Sequence, residues 1–164
     1  MSTAALVGYV YYDESMDEEE FEPMERERVR FVRVHANGPY LAPVLSNYEG
    51  SEIFKLIDMG DISHLAPEIG ESNSFLRSEF NLDVCRFYHR DRDEDWEEVA
   101  PSDVSVTDGH GILMHSAELM GAYYIYIYDD MAGSEWICYE RSTHSGRWAC
   151  VDLMDEEETV AIQL

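Results

Sequence analysis

Positive charge is what this sequence lacks most. Of its 164 residues only 11 are Lys or Arg, against 35 Asp or Glu, for a formal charge of -24. Lys55 is the one lysine. Direct contact with nucleic acid or an anionic membrane is therefore disfavoured, because so few cations cannot neutralise phosphates and the bulk field repels them. Cysteine is scarce as well. Cys85, Cys138 and Cys150 are an odd number with no CxxC spacing, so no disulfide framework is read. Cys138 and Cys150 could at most face each other across a hairpin, and reduced thiols buried as small hydrophobes are expected. No apolar stretch approaches about 18 residues, and Met1 to Val7 has no positive lead. The expectation is a soluble, cytoplasmic protein of the host cell.

Low hydrophobicity is not among the deficits. Hydrophobic residues make up 45% of the chain and aromatics 12%, too many for a disordered acidic tail. A core is expected. The chain has no internal repeat, no heptads and no Pro- or Gly-rich linker that would force two domains. Residues 1–82 carry 16 acids and 6 bases, and residues 83–164 carry 19 and 5, so acid is not confined to one appended segment.

Residues 4 to 12 are rich in β-branched and aromatic types, and residues 28 to 35 interleave Arg with apolar residues; both read as strands and as arms of a long hairpin. Between them, Asp13 to Glu27 holds nine acids and suits a solvated loop. Asn37-Gly38-Pro39 is a turn, and Ser51 offers an N-cap to a short helix that Gly60 could close. Asp61 to Ile69 reads as a further turn and Ser74 to Phe80 as a brief helix. Leu82 to Arg90 reads as a strand leading into a second acidic block, Asp91 to Glu98. Pro101 to Gly111 is loop-like, and Ile112 to Met120 reads as a helix. Ala122 to Asp129, Glu135 to Arg141 and Arg147 to Leu153 alternate and are separated by short turns, which predicts an antiparallel meander. A third acidic run, Asp155 to Glu158, precedes a segment read as a final edge strand, Thr159 to Leu164. The fold class expected is α+β: a single acidic domain over residues 1–164, with an antiparallel sheet built from the C-terminal three-stranded meander and the N-terminal hairpin, plus a few short helices.

Metal and catalytic motifs are weak. Asp91, Asp93 and Asp95 resemble the start of a calcium loop, but Trp96 stands where the sharp turn needs Gly and Ser102 where a bidentate Glu belongs. His110 and His115 are five apart and share no helix face, so zinc is not read. GxSxG, GxxxxGK[ST] and GxGxxG are absent, and the acidic field opposes thiolate chemistry at the cysteines. Neither catalysis, a metal nor a cofactor is expected.

The tyrosines are more informative. Tyr124, Tyr126 and Tyr128 alternate with Tyr123, Ile125 and Ile127, which gives one sheet face of tyrosine and one mainly apolar face. One reading covers the Tyr face with the 112–120 helix or the N-terminal hairpin. The other makes it a rigid contact surface.

Charge, size and the missing motifs together lead to a non-enzymatic acidic inhibitor that imitates nucleic acid. Its expected partner is a basic nucleic-acid-binding protein or nuclease complex, as in anti-restriction or anti-CRISPR proteins of phages and mobile elements. The charge matches the phosphates along roughly 40 Å of duplex. The residues expected to make the contact are Asp13, Glu14, Asp17, Glu18, Glu19, Glu20 and Glu22 in the first block, Asp91, Asp93, Glu94, Asp95, Trp96, Glu97 and Glu98 in the second, and Tyr124, Tyr126 and Tyr128. Phe21, Met24 and Trp96 would supply desolvated anchors. An immunity or antitoxin-like protein capping one basic toxin is an alternative on a smaller patch. A protein adapted to concentrated salt is another, and it predicts evenly dispersed acids and a fold that fails in dilute buffer. The expected state is a monomer or a homodimer, with surface charge opposing pairing at a sheet edge.

Overall fold

The computed structural model describes residues 3–13, 15, 17, 19–20, 26–71, 73, 81–105, 110–129 and 135–151. Its framework is a mixed sheet of eight strands carrying five short helices, an α+β arrangement. In chain order these are β1 (Ala4–Tyr12), β2 (Glu27–Val34), α1 (Ala42–Leu45), α2 (Ser51–Asp58), β3 (Ile62–His64), β4 (Arg86–Phe87), α3 (Tyr88–Arg92), α4 (Trp96–Val99), β5 (Ser102–Ser105), α5 (Gly111–Leu119), β6 (Ala122–Asp129), β7 (Glu135–Arg141) and β8 (Trp148–Val151). The strand order is β4-β3-β2-β1-β6-β7-β8, and β5 pairs with β2 over Arg28 to Phe31.

The central strand follows from composition. Residues 4–10 are buried on both faces, which suits a near-continuous apolar run. β1 runs antiparallel to β2 and parallel to β6, and β2 is also parallel to β3. The sheet is therefore mixed where an antiparallel one was expected. β6, β7 and β8 pair antiparallel.

One face of the sheet carries Ala5, Val7, Tyr9, Val32, Val34, Tyr126, Tyr128 and Cys138 beneath α1 and α2, which contribute Leu45, Ile53, Leu56 and Ile57. The other carries Leu6, Val10, Val29, Phe31, Ile125 and Ile127 beneath Leu113 and Ala117 of α5. Helix α5 thus covers the Ile face of β6, and the Tyr face lies under α1 and α2. Tyr126 tolerates full burial because its hydroxyl donates to the Gly38 carbonyl at 2.6 Å.

Three local expectations are corrected. Residues 82–90 give only β4 before the chain turns into α3, because the Asp91 carboxylate accepts the Phe87 N–H at 2.8 Å and ends the ladder there. Within 61–69 a strand forms instead of a helical turn, since Ile62 pairs with Val34 and its carbonyl accepts the His35 N–H at 3.0 Å. Residues 102–105 form β5 beside β2 rather than loop. Ser51 is the first residue of α2, and Gly50 holds the cap position. Cys138 pairs with Val151 and Tyr139 with Cys150, so Cys138 and Cys150 lie on opposite faces, one buried and one exposed. The brief helix read at Ser74 to Phe80, the acidic run Asp155 to Glu158 and the strand read at Thr159 to Leu164 lie outside the described residues. Among the described residues no helix is long and apolar enough to cross a membrane.

Gly8 shows how tightly the centre is built. A Cβ there would meet the Arg30 carbonyl oxygen at 2.5 Å and the Phe31 Cβ at 2.8 Å. Gly8→Ala is expected to cost about 1–3 kcal/mol through overpacking, and to lower the thermal midpoint by roughly 2–4 °C for each of them. Differential scanning calorimetry reads this directly, and an unchanged midpoint would contradict the strand spacing.

Candidate partner-binding surface

The second acidic block is organised by one buried carboxylate. Asp91 is only 5% exposed, and its two oxygens are occupied from three directions. Oδ1 accepts the Asn73 N–H at 2.8 Å and the Arg90 Nε at 3.0 Å, and Oδ2 accepts the Phe87 N–H at 2.8 Å. Burial by itself pushes the Asp91 pKa up. The Arg90 guanidinium and the two backbone N–H groups outweigh it, so the carboxyl lies below its usual value. Asp91 is thus an internal anchor, unlike the contact residue expected from sequence. Charge and hydrogen bonds from the protein's own backbone have claimed it.

Arg90 extends the same anchor. Its Nη1 donates to the carbonyls of Ile69 at 3.1 Å and Gly70 at 2.9 Å, its Nη2 donates to Cys85 at 2.9 Å, and its guanidinium lies 4.8 Å from the Phe87 ring centroid. Asn73 Nδ2 closes the network by donating to the carbonyls of Asn81 at 2.9 Å and Val84 at 3.0 Å. Residues 66–73 and 81–92 are held together by these bonds.

Outward from this anchor the chain presents acid. Asp93 ends α3 in the left-handed region, at φ 59°. Asp95 caps α4 by accepting the Glu97 N–H at 3.0 Å. Helix α4 docks through buried Val99, whose carbonyl accepts the Asp61 N–H at 2.9 Å. Asp61 in turn accepts the Arg33 N–H at 2.9 Å, and burial pushes its carboxyl above the usual range. Glu94 is half-buried, and Arg92 stands 3.7 Å from it. Asp93, Asp95, Glu97 and Glu98 are exposed and have no basic partner among the described residues. Glu68, Glu71 and Asp83, on the segments the Asp91 network ties together, are exposed too. In the middle stands Trp96, 38% exposed, edge-on to His89 with ring centroids 4.4 Å apart. His89 Nδ1 meets the Glu94 carbonyl at 2.8 Å. A large aromatic side chain thus packs on His89 in a segment that also carries four exposed carboxylates, of which Asp95 is held by its cap bond.

The first block lies elsewhere. Asp13 accepts the Ser15 N–H at 3.0 Å, and Asp17 accepts the Glu19 N–H at 2.9 Å, so both carboxylates head local turns. Asp17, Glu19 and Glu20 are exposed. Glu14, Glu18 and Glu22, with Phe21 and Met24, lie outside the described residues. The link between β1 and β2 leaves from the Tyr12/Glu27 end of the hairpin, whereas β3 joins β2 at Val34. The described parts of the two blocks thus attach near opposite ends of β2, whose eight residues span roughly 25 Å.

The tyrosine surface is corrected at two of its three residues. Tyr126 is fully buried and Tyr128 is 5% exposed, both in the core under α1 and α2. Tyr124 is half-buried and donates its hydroxyl to Glu140 at 3.3 Å. Residues with polar tips filled an inward face because each hydroxyl sits at the end of a large apolar ring.

Sequence reasoning also missed two ion-paired rungs. Tyr9 lies opposite Arg30 and Tyr11 opposite Arg28 on the β1/β2 ladder. Asp58 from α2 closes the first rung, accepting from Tyr9 at 3.3 Å with Arg30 Nε at 3.4 Å, and Asp103 from β5 closes the second through Tyr11 and Arg28. The alternation of Arg in RVRFVRV is the signal that could have located them. Asp58 and Asp103 are thereby neutralised within the fold. Among the described residues no group of three or more His, Cys, Asp or Glu could hold a metal ion. Neither a protein-family model, nor a curated protein, nor a solved structure matches this chain.

Proposed function

We propose that this protein is a non-enzymatic inhibitor that occupies the nucleic-acid-binding surface of a basic nuclease complex, with its exposed carboxylates taking the place of phosphates. One observation carries this reading: four exposed carboxylates with no basic partner among the described residues, Asp93, Asp95, Glu97 and Glu98, flank a part-exposed Trp96 in a segment anchored by buried Asp91. Charge fixed in position steers association with a basic surface, and a held aromatic ring supplies desolvated contact once the surfaces meet. Restriction and CRISPR effectors, with their positively charged grooves, are the class of partner such a surface fits.

The deciding experiment is competition. The purified protein is titrated into a panel of restriction and CRISPR nuclease complexes, with and without their nucleic acid already bound. Inhibition of at least one complex that is relieved by excess nucleic acid is the expected result. A complex that binds the protein equally well when its groove is filled would overturn groove occupancy.

A further inference from the structure

Among the described residues, two edges of the sheet are guarded and one is not. Strand β4 is two residues long, carries Arg86 and stops where the Asp91 carboxylate takes the Phe87 N–H. Strand β5 carries Asp103, paired with Arg28. Short strands and edge charges of this kind keep a sheet from adding strands. Strand β8, Trp148-Ala149-Cys150-Val151, holds neither a charge nor a proline. It closes the strand order and, among the described residues, pairs with β7 alone. Ala149 and Cys150 at its centre are exposed.

The turn before β8 fixes which way its backbone groups point. The Ser142 N–H donates to the Arg147 carbonyl at 2.9 Å, so these two residues form a hydrogen-bonded pair of the antiparallel ladder. Bonded and non-bonded pairs alternate from there. Trp148 lies opposite Arg141, Ala149 opposite Glu140, Cys150 opposite Tyr139 and Val151 opposite Cys138. Ala149 and Val151 therefore turn their backbone groups toward β7. Trp148 and Cys150 turn theirs to the open side, two N–H donors and two carbonyl acceptors.

Charge decides what can approach this edge. Residues 136–151 hold one acid, Glu140, against Arg141 and Arg147, a net of +1, so the other 148 residues carry -25 of the total of -24. A basic partner is drawn to the acidic remainder and gains no attraction here. A second copy of this chain meets here an edge without excess acid, and repulsion from the rest is screened beyond about 8 Å at physiological salt. Antiparallel pairing of a strand with its own copy also closes as a twofold and stops there.

We propose that β8 pairs antiparallel with β8 of a second copy, about a twofold axis at Ala149, joining two sheets in a homodimer. An axis normal to the sheet sets one residue against itself. With Ala149 in that place, Trp148 exchanges both backbone bonds with Cys150 of the second copy, and the symmetric pair does the same. All the open groups of both strands are then used. Ala149 meets its counterpart in a non-hydrogen-bonded pair, where Cα atoms come to about 4.5 Å and small side chains fit. The dimer is independent of the inhibitor surface, because β8 and the Trp96 segment, which adjoins β3 and β4, lie at opposite ends of the strand order. Either can fail while the other stands.

The test is sedimentation velocity of the full chain over a concentration series, in dilute buffer and in half-molar potassium chloride. Four backbone bonds make a weak, reversible contact. The expected result is a monomer when dilute and a dimer at the highest concentrations, with more dimer in the higher salt. Ala149→Lys should raise the dissociation constant roughly tenfold or more, because two like charges then face each other across the axis. One added cation moves the charge only from -24 to -23, so lost dimer cannot come from greater net repulsion. The monomer should keep its thermal midpoint, since Ala149 is exposed and Glu140 lies opposite it. Combined with Cys150→Ser, Ala149→Cys should cross-link on oxidation with diamide, because a non-hydrogen-bonded pair lies within disulfide reach. The wild type should not, since its two Cys150 residues lie on the diagonal at about 7–8 Å, past that reach. A wild type that stays monomeric at every concentration in both salts, an Ala149→Lys variant that dimerises like the wild type, or cross-linking through Cys150 in place of Ala149→Cys would each overturn the proposal.

Discussion

Replacing Asp91 with alanine is expected to lower the thermal midpoint by roughly 6–20 °C. The side chain has no exposure, and its partner Arg90 is only 18% exposed at the side chain. Removing one member of a buried ion pair strands the other charge and costs about 3–5 kcal/mol, and each kcal/mol shifts the midpoint of a chain this size by roughly 2–4 °C. Two backbone donors, Asn73 N–H and Phe87 N–H, lose their acceptor in the same step. Asp91→Asn retains the shape and part of the acceptor capacity, so its loss should be smaller but still several degrees. A variant within a degree or two of the wild type would mean that the 66–73 and 81–92 segments are held by something other than this carboxylate.

The same residue sets an acid limit. The folded pKa of Asp91 lies below its unfolded value, so its contribution is fully present above the unfolded pKa, about 3.9, and is lost as pH falls through the folded value. Asp61 has the opposite sign: burial foremost, then the charge of Glu94, raises its carboxyl despite the Arg33 N–H. Glu27 is raised by burial and then by Asp129. Protonating either relieves a penalty carried by the folded state, so stability is gained as pH falls through those raised values. The expected profile is a midpoint that holds or rises slightly on mild acidification and falls below about pH 4. In Asp91→Asn the low-pH fall is shallower, and the gap to wild type narrows there.

The parts of the fold set by local alternation could be read from the chain, and those set by distant partners could not. Residues 4–12 and 122–129 carry strong strand patterns, yet nothing local says that Ala4 lies beside Ala122 in parallel. That both faces of β6 are covered was equally unreadable. Tyrosine and isoleucine both fill a core, and only the Gly38 carbonyl waiting for the Tyr126 hydroxyl shows why the Tyr face can be buried. Within Asp91 to Glu98 every acid looks alike in sequence. Asp91 differs because it lies four residues after Phe87, whose N–H it takes, and because Asn73 approaches from another segment. The second of these is a tertiary fact. Trp96 stood out from its polar neighbours, and it is the one large aromatic of that block.

Converting Asp93 and Asp95 to Asn and Glu97 and Glu98 to Gln is expected to weaken partner binding by roughly thirtyfold or more at low salt. Exposed charges contribute about 0.5 kcal/mol each when they face an opposite charge, which gives about 2 kcal/mol for four. The fold should survive. Asn is well tolerated at the left-handed position Asp93 occupies, and it caps a helix as well as Asp does at position 95. Net charge falls only from -24 to -20 by four neutralisations, so solubility is kept and self-repulsion eases. The deficit should appear in the association rate and shrink as salt is raised, because steering is screened over about 8–10 Å at physiological ionic strength. Trp96→Ala should leave a different signature: a faster dissociation rate, little change in salt dependence, and a similar loss of about 2 kcal/mol. Rates from surface plasmon resonance across a salt series separate the two. If the quadruple variant binds with wild-type rate and salt dependence, the phosphate-like charge lies in another acidic segment, and Asp17, Glu19 and Glu20 are the next to neutralise. Loss of binding in Trp96→Ala with an unchanged quadruple variant would instead identify an apolar docking surface in which the surrounding acid serves solubility alone.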